Sequence, residues 1–314
     1  MKQTTLGGSG SIAMLTKLAG LIVMLALVVA AAEKEWPGYG GGPAQTRYSG
    51  LKQINRSNVS QLRVAWAYDT QDGQGASQTQ PIMVDGVLYG VTPKHKIIAL
   101  NAATGKLLWK FDSGIEGRGP NRSVAYWSDG ASHRVFAAVQ SYLYALDASS
   151  GKPIPGFGDV GSESAGRIDL RRDLGRDPEK QSLVLTSPGI VYQDLLIVGG
   201  RTPEALPSPL GDIRAYDVRS GKLRWAFHTI PHPSEFGYGT WPKDAWTYTG
   251  SANNWAGMAL DEKRGIVFVP TGSAATDFYG ADRLGDNLFA NSLLALKART
   301  GERLWHFQAV KHDI

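Results

Sequence analysis

The sequence predicts an all-β fold built from repeated units, and three observations support this prediction. First, a strand end, a polar turn closed by Gly and a second strand recur four times, at 99–109, 145–155, 215–225 and 295–305. Second, short apolar runs bounded by turn residues fill the segments between these repeats. Third, no long amphipathic helix pattern occurs after the N-terminal segment. A recurring unit of this kind is the signature of a repeat architecture.

The spacing of the repeats indicates a β-propeller. Gly105 and Gly151, which close the first two turns, are 46 residues apart, close to the roughly 40–50 residues of one four-stranded blade. Gly221 and Gly301 follow at 70 and 80 residues, which indicates blades with inserted loops. With Asn58–Trp66 as the tail of a further repeat, the count predicts an incomplete ring of about four to five blades. We therefore expect the N-terminal part of a longer protein.

Individual strands can be placed between the turns. Pro81–Tyr89 contains two apolar strands around an Asp-Gly turn, a typical hairpin signal. Further strands are predicted at 135–139, 189–192, 195–198 and 265–269. The charged segment 161–180 and the Pro-rich segment 201–212 are predicted to be loops. Loops inserted on a rigid β scaffold are common places for a binding site.

Residues 1–32 resemble a secretory signal peptide. Lys2 and Lys17 precede an apolar run from Leu18 to Ala32, which ends in small residues suited to signal peptidase. The run is shorter than the about 20 residues of a membrane span. An uncleaved N-terminal anchor is the alternative, and in both cases residues 33–314 are expected to lie outside the cytoplasm.

Composition excludes several classes of function. The 314 residues contain no Cys, which excludes disulfides, thiolate catalysis, iron–sulfur clusters and covalently attached haem within this chain. The net charge of +5 comes from scattered basic residues, which argues against nucleic-acid binding. His228 and His232 lie in a Pro-containing loop rather than on a helix, which argues against a zinc site. Asp169, Asp173 and Asp177 alternate with Arg and are interpreted as a solvated charge run.

The repeat and four further stretches together resemble the quinoprotein dehydrogenases, eight-bladed propellers that use pyrroloquinoline quinone (PQQ). The repeat is similar to the family's tryptophan-docking motif, and the resemblance runs from about Trp36 to the last residue. The four stretches are Asn121–Trp127, Leu185–Pro188, Asn254–Gly257 and Gly285–Ser292. Glu116 and Gly117 stand where alcohol-oxidising members have adjacent cysteines. The resemblance is therefore closest to the glucose, polyol and quinate branch.

The resemblance implies a set of cofactor contacts. Trp255 matches the tryptophan on which PQQ stacks, Arg122 the arginine near the quinone oxygens, and Thr186 a hydroxyl that binds a PQQ carboxylate. Gln78 stands where many members have Glu. The alternatives are a docking or core Trp, a surface Arg and a strand-end Thr.

The resemblance also implies a calcium site. Glu204 matches the ligating carboxylate, with a solvated loop Glu as the alternative. Ser273 replaces the Asn ligand of methanol-oxidising members, and its own carbonyl or Asp277 could substitute. The family's catalytic Asp follows a His-Asp pair, so we expect it directly after Ile314; Asp313 matches an earlier, non-catalytic Asp.

The expected function is periplasmic oxidation of a sugar, polyol or cyclic alcohol with PQQ and Ca²⁺. The electrons would pass to the quinone pool or a cytochrome. Two alternatives remain at this point: a non-enzymatic propeller scaffold, and a truncated fragment without activity of its own.

Overall fold

The structure, a computed structural model, describes residues 35–73, 77–158 and 166–313. The predicted signal peptide lies outside the described residues. The chain divides into two compact units. Among the described residues, the smaller unit contains Glu35 and Tyr48–Val64, with one 3₁₀ turn at Val59–Gln61. The larger unit contains Trp36–Arg47 and the chain from Ala65 onward.

Four antiparallel sheets of four strands make up the larger unit, and the chain runs through each sheet in order. Blade 1 consists of β1 Ile82–Val84, β2 Val87–Val91, β3 Ile97–Asn101 and β4 Leu107–Phe111. Blade 2 consists of β5 Ala125–Ser128, β6 His133–Val139, β7 Tyr142–Asp147 and β8 Arg167–Asp169. Blade 3 consists of β9 Ile190–Tyr192, β10 Leu195–Val198, β11 Ile213–Asp217 and β12 Leu223–Phe227. Blade 4 consists of β13 Ala259–Asp261, β14 Ile266–Pro270, β15 Ser292–Lys297 and β16 Arg303–Gln308.

This architecture confirms the all-β prediction and the strands named from the sequence. The one α-helix among the described residues is the single turn α1, Ala245–Tyr248. No helix in the described ranges has the length and apolarity that crossing a bilayer requires. In blades 1, 3 and 4 the pairing of the last two strands shifts register at the repeat alanine, at Ala99, Ala215 and Ala295. The same bulge therefore recurs at the same point of the repeat.

Tryptophan side chains from other parts of the chain pack against the turn glycines of the repeat. A Cβ on Gly151 would lie 2.4 Å from Cε3 of Trp109, and a Cβ on Gly301 would lie 2.5 Å from Cε3 of Trp225. The Trp109 indole N–H donates to the Ala148 carbonyl at 2.9 Å, and that of Trp225 donates to Ala298 at 3.2 Å. Trp109 and Trp225, on the outer strands of blades 1 and 3, thus each pack on the turn of another blade, which explains why Gly closes these turns.

Blade 2 departs from the repeat. Segment 161–180 was predicted to be a loop, and this is wrong at Arg167–Asp169, because β8 pairs with Tyr142–Tyr144 as the fourth strand. Pro153 and Pro155 follow the turn of this repeat and have no N–H to donate to a sheet. The fourth strand is therefore supplied by residues further along the chain. Asp169 belongs to this strand and is paired with Arg171 at 2.7 Å, so it is not part of a solvated charge run.

The segment Asn58–Trp66 forms no strand, so the prediction of a further repeat tail is only partly right. Its Trp66 nevertheless packs on the turn of blade 1, where the indole N–H donates to the Ala102 carbonyl at 3.1 Å. The docking contact is present without the strand.

The core lies between successive blades. One buried cluster joins blades 1 and 2, a second joins blades 2 and 3, and a third joins blades 3 and 4. Face-to-face packing of sheets with interdigitated apolar side chains is the usual way in which antiparallel sheets bury their faces. This packing fixes the blade ends, and the loops at those ends carry the candidate site.

Candidate functional site

The connections at one end of blades 2, 3 and 4 surround a cavity of about 350 Å³. Arg122, Thr186 and Trp255 precede the first strands of these blades. Arg201 and Glu204 follow β10, and Ser273 follows β14, both second strands. A first strand begins at the same end at which its antiparallel second strand finishes. The remaining residues of the lining are Pro120, Thr202, Ser251, Asn253, Gly272 and Asp277.

Five of the six site residues named from the sequence therefore lie around one cavity. They are Arg122, Thr186, Glu204, Trp255 and Ser273. Gln78 is the exception, because it is exposed and is not among the residues that line the cavity. Gln80, two residues further on, also lies outside the lining, but its backbone amide donates to the Arg122 carbonyl at 2.7 Å.

The aromatic wall of the cavity is the Trp255 indole with the Arg122 guanidinium beside it. The guanidinium carbon lies 5.3 Å from the ring centroid, within the range of a cation–π contact. Arg122 also donates through Nη1 to the Thr186 carbonyl at 3.2 Å. The Trp255 side chain is 48% exposed, unlike the docked tryptophans of the blades. An indole held open beside a cation presents a flat face to a planar, anionic ligand.

Hydrogen bonds fix the backbone of Trp255. Its carbonyl accepts from the Thr186 hydroxyl at 3.0 Å and from the Ser187 hydroxyl at 2.7 Å. The Asn254 side chain donates to the Gly257 and Pro270 carbonyls at 2.8 and 2.7 Å. The Thr186 side chain is therefore engaged with the protein backbone, and its main effect in the structure is to hold Trp255 in place.

The chain that follows β10 in blade 3 lies close to the segment around Asn254 that precedes β13. The Gly200 amide donates to the Asn254 carbonyl at 2.7 Å, and the Asn253 side chain donates to the Gly200 carbonyl at 2.7 Å. A Cβ on Gly199 would lie 2.4 Å from the Asn254 carbonyl oxygen. Sequence reasoning quoted Asn254 as part of a diagnostic stretch but gave it no role, and it did not name Asn253 or Arg201. The sequence feature that could have indicated this contact is the pair Gly199-Gly200, because a residue without Cβ allows the two backbones to approach closely.

Two carboxylates lie on the cavity lining, Glu204 and Asp277. The Asp277 amide donates to the Glu204 carbonyl at 3.0 Å, which joins the two loops. Burial raises the pKa of Asp277, and the nearby Glu204 and Asp313 carboxylates raise it further, while Arg283 acts in the opposite direction. A hard cation bound here would relieve the repulsion between these neighbouring carboxylates.

Ser273 is engaged on the other side of this cluster. Its hydroxyl hydrogen-bonds to the Asp313 carboxylate and lies 3.3 Å from Asn291 Oδ1. Arg283, which is 1% exposed, donates to the Asp313 carbonyl at 2.7 Å and pairs with its carboxylate at 3.3 Å. The Ser273 hydroxyl thus orients Asp313, which leaves Asp277 as the better-placed partner for Glu204.

Glu116 and Gly117 lie outside the cavity lining. Glu116 is paired with Lys94 at 3.6 Å and Arg118 at 3.5 Å. Gly117 packs on His95, because a Cβ there would lie 2.1 Å from the His95 ring. Both residues are accounted for by contacts with the Lys94–His95 turn.

A second cavity, of about 300 Å³, has a different character. It is lined mainly by apolar and aromatic groups such as Tyr39, Tyr126 and Met258, with Glu262 as its charged residue. No Arg or Lys occurs in its described lining. A polyanionic ligand would find a negative charge and no cation there, so the Trp255 cavity is the better candidate.

Comparison with known proteins identifies the family of the chain. The model of the beta-propeller domain of PQQ-containing glucose, ethanol and alcohol dehydrogenases matches residues 36–314. The chain belongs to the PQQ-dependent dehydrogenase family. This result confirms the family predicted from the tryptophan repeat, and the family's propeller is the fold that the four blades form.

Named relatives cover nearly the whole of this chain. Quinoprotein glucose dehydrogenase A of Acinetobacter calcoaceticus is 33% identical over 90% of this chain and 38% of its own length. Quinate/shikimate dehydrogenase (quinone) of Acinetobacter baylyi is 31% identical over 98% of this chain and 43% of its own length. The crystal structure of quinohemoprotein alcohol dehydrogenase from Comamonas testosteroni superposes with a TM-score of 0.74 at 27% identity, covering 92% of this chain and 45% of that one. The chain thus spans about two-fifths of the length of these relatives.

Proposed function

We propose that this chain forms the cofactor-binding part of a PQQ-dependent dehydrogenase that oxidises a hydroxyl group of a sugar, polyol or cyclic alcohol. The observation that carries the proposal is the single cavity in which an open indole, an arginine and two carboxylates converge. The family membership and the relatives named for glucose and for quinate or shikimate support the substrate class.

The lining suits a flat, polyanionic quinone. The Trp255 face would stack on the ring system, and Arg122 and Arg201 would oppose its negative groups. When bound, PQQ supplies a quinone carbon that accepts a hydride from the substrate. Arg122 would stabilise the negative charge that develops on the quinone oxygens, because it is already oriented by its hydrogen bond to Thr186. Thr186 itself would act by holding the Trp255 backbone.

The carboxylates suit a hard divalent cation, for which we propose Ca²⁺. Glu204 and Asp277 offer oxygen ligands, the type that Ca²⁺ prefers. Ser273 would position Asp313 rather than bind the ion through its hydroxyl, since that hydroxyl is already engaged. A cation here would polarise a bound oxygen as a Lewis acid and would relieve the repulsion between Glu204 and Asp277.

We further propose that the protein acts in the periplasm and passes its electrons to a quinone pool or a cytochrome. The apolar N-terminal segment with its small-residue end supports export. Detection of the mature protein in the periplasmic fraction, with Glu33 near its new N-terminus, would support the location; a cytoplasmic protein that retains residues 1–32 would contradict it.

Equilibrium binding of PQQ in the presence of Ca²⁺ tests the proposed site. Replacement of Trp255 by Leu is expected to weaken binding by at least about two- to tenfold, because a stacked aromatic contact contributes roughly 0.5–1.5 kcal/mol beyond the buried area. Trp305→Leu is the matched control, since Trp305 is 44% exposed and lies on the outer strand of blade 4. Arg122→Gln is expected to weaken binding as well.

Dye-linked turnover of glucose, quinate and ethanol then tests the activity of the same preparation. Turnover that requires PQQ supports the dehydrogenase. Binding without turnover of any of the three would match the truncated fragment considered from the sequence, and equal binding by wild type and Trp255→Leu would contradict the proposed site. Absence of PQQ binding would favour a non-enzymatic propeller.

A further inference from the structure

The connection that follows β12 contains a cluster of potential metal ligands that the proposed function does not use. His228 and His232 stack with their ring centroids 3.8 Å apart and an angle of 14° between the planes. His228 Nδ1 lies 2.8 Å from Glu235 Oε1. One ligand atom from each of the three residues can be chosen so that all lie within 4.8 Å of one another. The sequence argued against a zinc site because no helix aligns the two His, but the turn brings them together and adds Glu235.

The backbone of this turn is held by its own hydrogen bonds. Glu235 Oε2 accepts from the His232 amide at 2.7 Å, and the Glu235 amide donates to the His232 carbonyl at 3.0 Å. Pro231 and Pro233 flank His232 and restrict its backbone further. The three side chains are therefore gathered before any ligand is present.

One ring nitrogen in the cluster has no partner among the described residues. His232 Nε2 is buried and accepts or donates no hydrogen bond. The His232 ring is packed against Trp246, with the centroids 4.4 Å apart, so water does not reach this atom from that side. An imidazole nitrogen without a hydrogen-bond partner is the kind of atom that binds a transition metal.

A buried carboxylate lies behind the cluster. Asp212, which is 5% exposed, accepts from the Thr229 amide at 3.2 Å and interacts electrostatically with His228. Asp212 would contribute electrostatically, because its ionised form would attract a cation held by His228.

We propose that His228, His232 and Glu235 form a binding site for a divalent transition metal of the Zn²⁺ type. Two neutral imidazoles and one carboxylate are a ligand set typical of zinc, and the exposed side of Glu235 leaves a fourth position for water. The site is chemically distinct from the Glu204–Asp277 pair, whose oxygen ligands suit Ca²⁺.

Binding requires small rearrangements that the side chains can make. Ligands about 2 Å from a tetrahedral ion lie roughly 3.3 Å apart, so the Glu235 carboxylate must withdraw slightly from His228. The two rings must also turn out of their stack so that their nitrogens converge. The side chains of His228 and Glu235 are 27% and 42% exposed, which leaves room for both movements.

Cobalt substitution tests this proposal without PQQ and without any assay of turnover. The purified, tag-free protein is stripped with chelator and titrated with Co²⁺, whose visible absorption is intense only in a tetrahedral site. We expect one Co²⁺ per chain, displaced by Zn²⁺, and Zn²⁺ is also expected to raise the melting temperature. The matched control is His133→Asn, an exposed His bonded to Tyr126 at 2.8 Å.

Two ligand variants and one control variant test which residues bind the metal. His232→Asn and Glu235→Gln should each weaken Zn²⁺ binding at least tenfold, while the cavity variant Asp277→Asn should leave it unchanged. Glu235→Gln is the decisive variant if His232→Asn impairs folding, because Glu235 is exposed. Tetrahedral Co²⁺ spectra that persist in Glu235→Gln, or the absence of such a spectrum in wild type, would overturn the proposal. Neither outcome bears on PQQ binding at Trp255.

Discussion

At the scale of single residues, the sequence predicted which side chains meet but not how they are held. Arg122, Thr186, Glu204, Trp255 and Ser273 were named by motif, and all five line one cavity. Their individual bonds could not be predicted, because a hydrogen bond such as that from Thr186 to the Trp255 carbonyl depends on how two blades approach each other. Gln78 illustrates the limit, because it does not line the cavity.

A buried carboxylate outside the cavity lining was also missed by the sequence analysis. Asp72, which is 4% exposed, accepts hydrogen bonds from the Thr92 hydroxyl and, at 2.9 Å, from the Lys94 amide. Lys96 lies 3.1 Å away. Burial raises the pKa of Asp72, but these hydrogen bonds and the Lys96 charge outweigh that effect and lower it below its ordinary value. The ionised form is therefore the one that the folded protein stabilises.

The lowered pKa of Asp72 predicts a pH dependence of stability. Its contribution is present above the unfolded-state pKa of about 4 and is lost as the pH falls through the lower folded-state pKa. Asp72→Asn should lower the free energy of unfolding by about 1–3 kcal/mol at pH 7, and by less at about pH 3. Urea denaturation at both pH values measures this difference. A deficit that stays constant between the two would contradict the assignment.

At the scale of elements, the turns were predictable and one strand was not. The turn of each repeat is encoded locally by a polar residue, a hydroxyl residue and Gly, as where the Asp147 carboxylate accepts from the Ser149 and Ser150 hydroxyls. Strand β8 is not encoded in the repeat. It was missed because Pro153 and Pro155 interrupt the expected strand, and the replacement comes from a charged segment with no strand pattern.

The turn of blade 2 gives a test of the docking contact. Gly151 has φ of +70°, and a Cβ there would meet the Trp109 ring. Gly151→Ala should therefore lower the free energy of unfolding by about 1–2 kcal/mol because of the left-handed backbone. The clash with the Trp109 ring should lower it by roughly 1–3 kcal/mol more.

Gly130→Ala separates these two contributions. Gly130 has φ of +87° in the hairpin between β5 and β6, and a Cβ there would have no atom within 4 Å. In chemical denaturation, Gly130→Ala should lower the free energy of unfolding by the backbone contribution alone. Equal losses in the two variants would mean that the packing of Trp109 on the turn does not constrain position 151.

At the scale of the whole molecule, the order of the blades in sequence is also their order of packing. Each buried cluster joins one blade to the next, so the cavity is built where blades 2, 3 and 4 end side by side. The repeat made the blades and their family predictable from the sequence. The position of the cavity follows from the same arrangement, because first-strand starts and second-strand ends meet at one end of each sheet.

The central claim is that the Trp255 cavity holds PQQ, and a crystal structure of the protein grown with PQQ and Ca²⁺ tests it most directly. We predict the quinone ring against the Trp255 indole, its oxygens facing Arg122, and a cation between Glu204 and Asp277. PQQ bound instead in the apolar cavity beside Tyr39 and Tyr126, with the Trp255 cavity left open, would contradict the account.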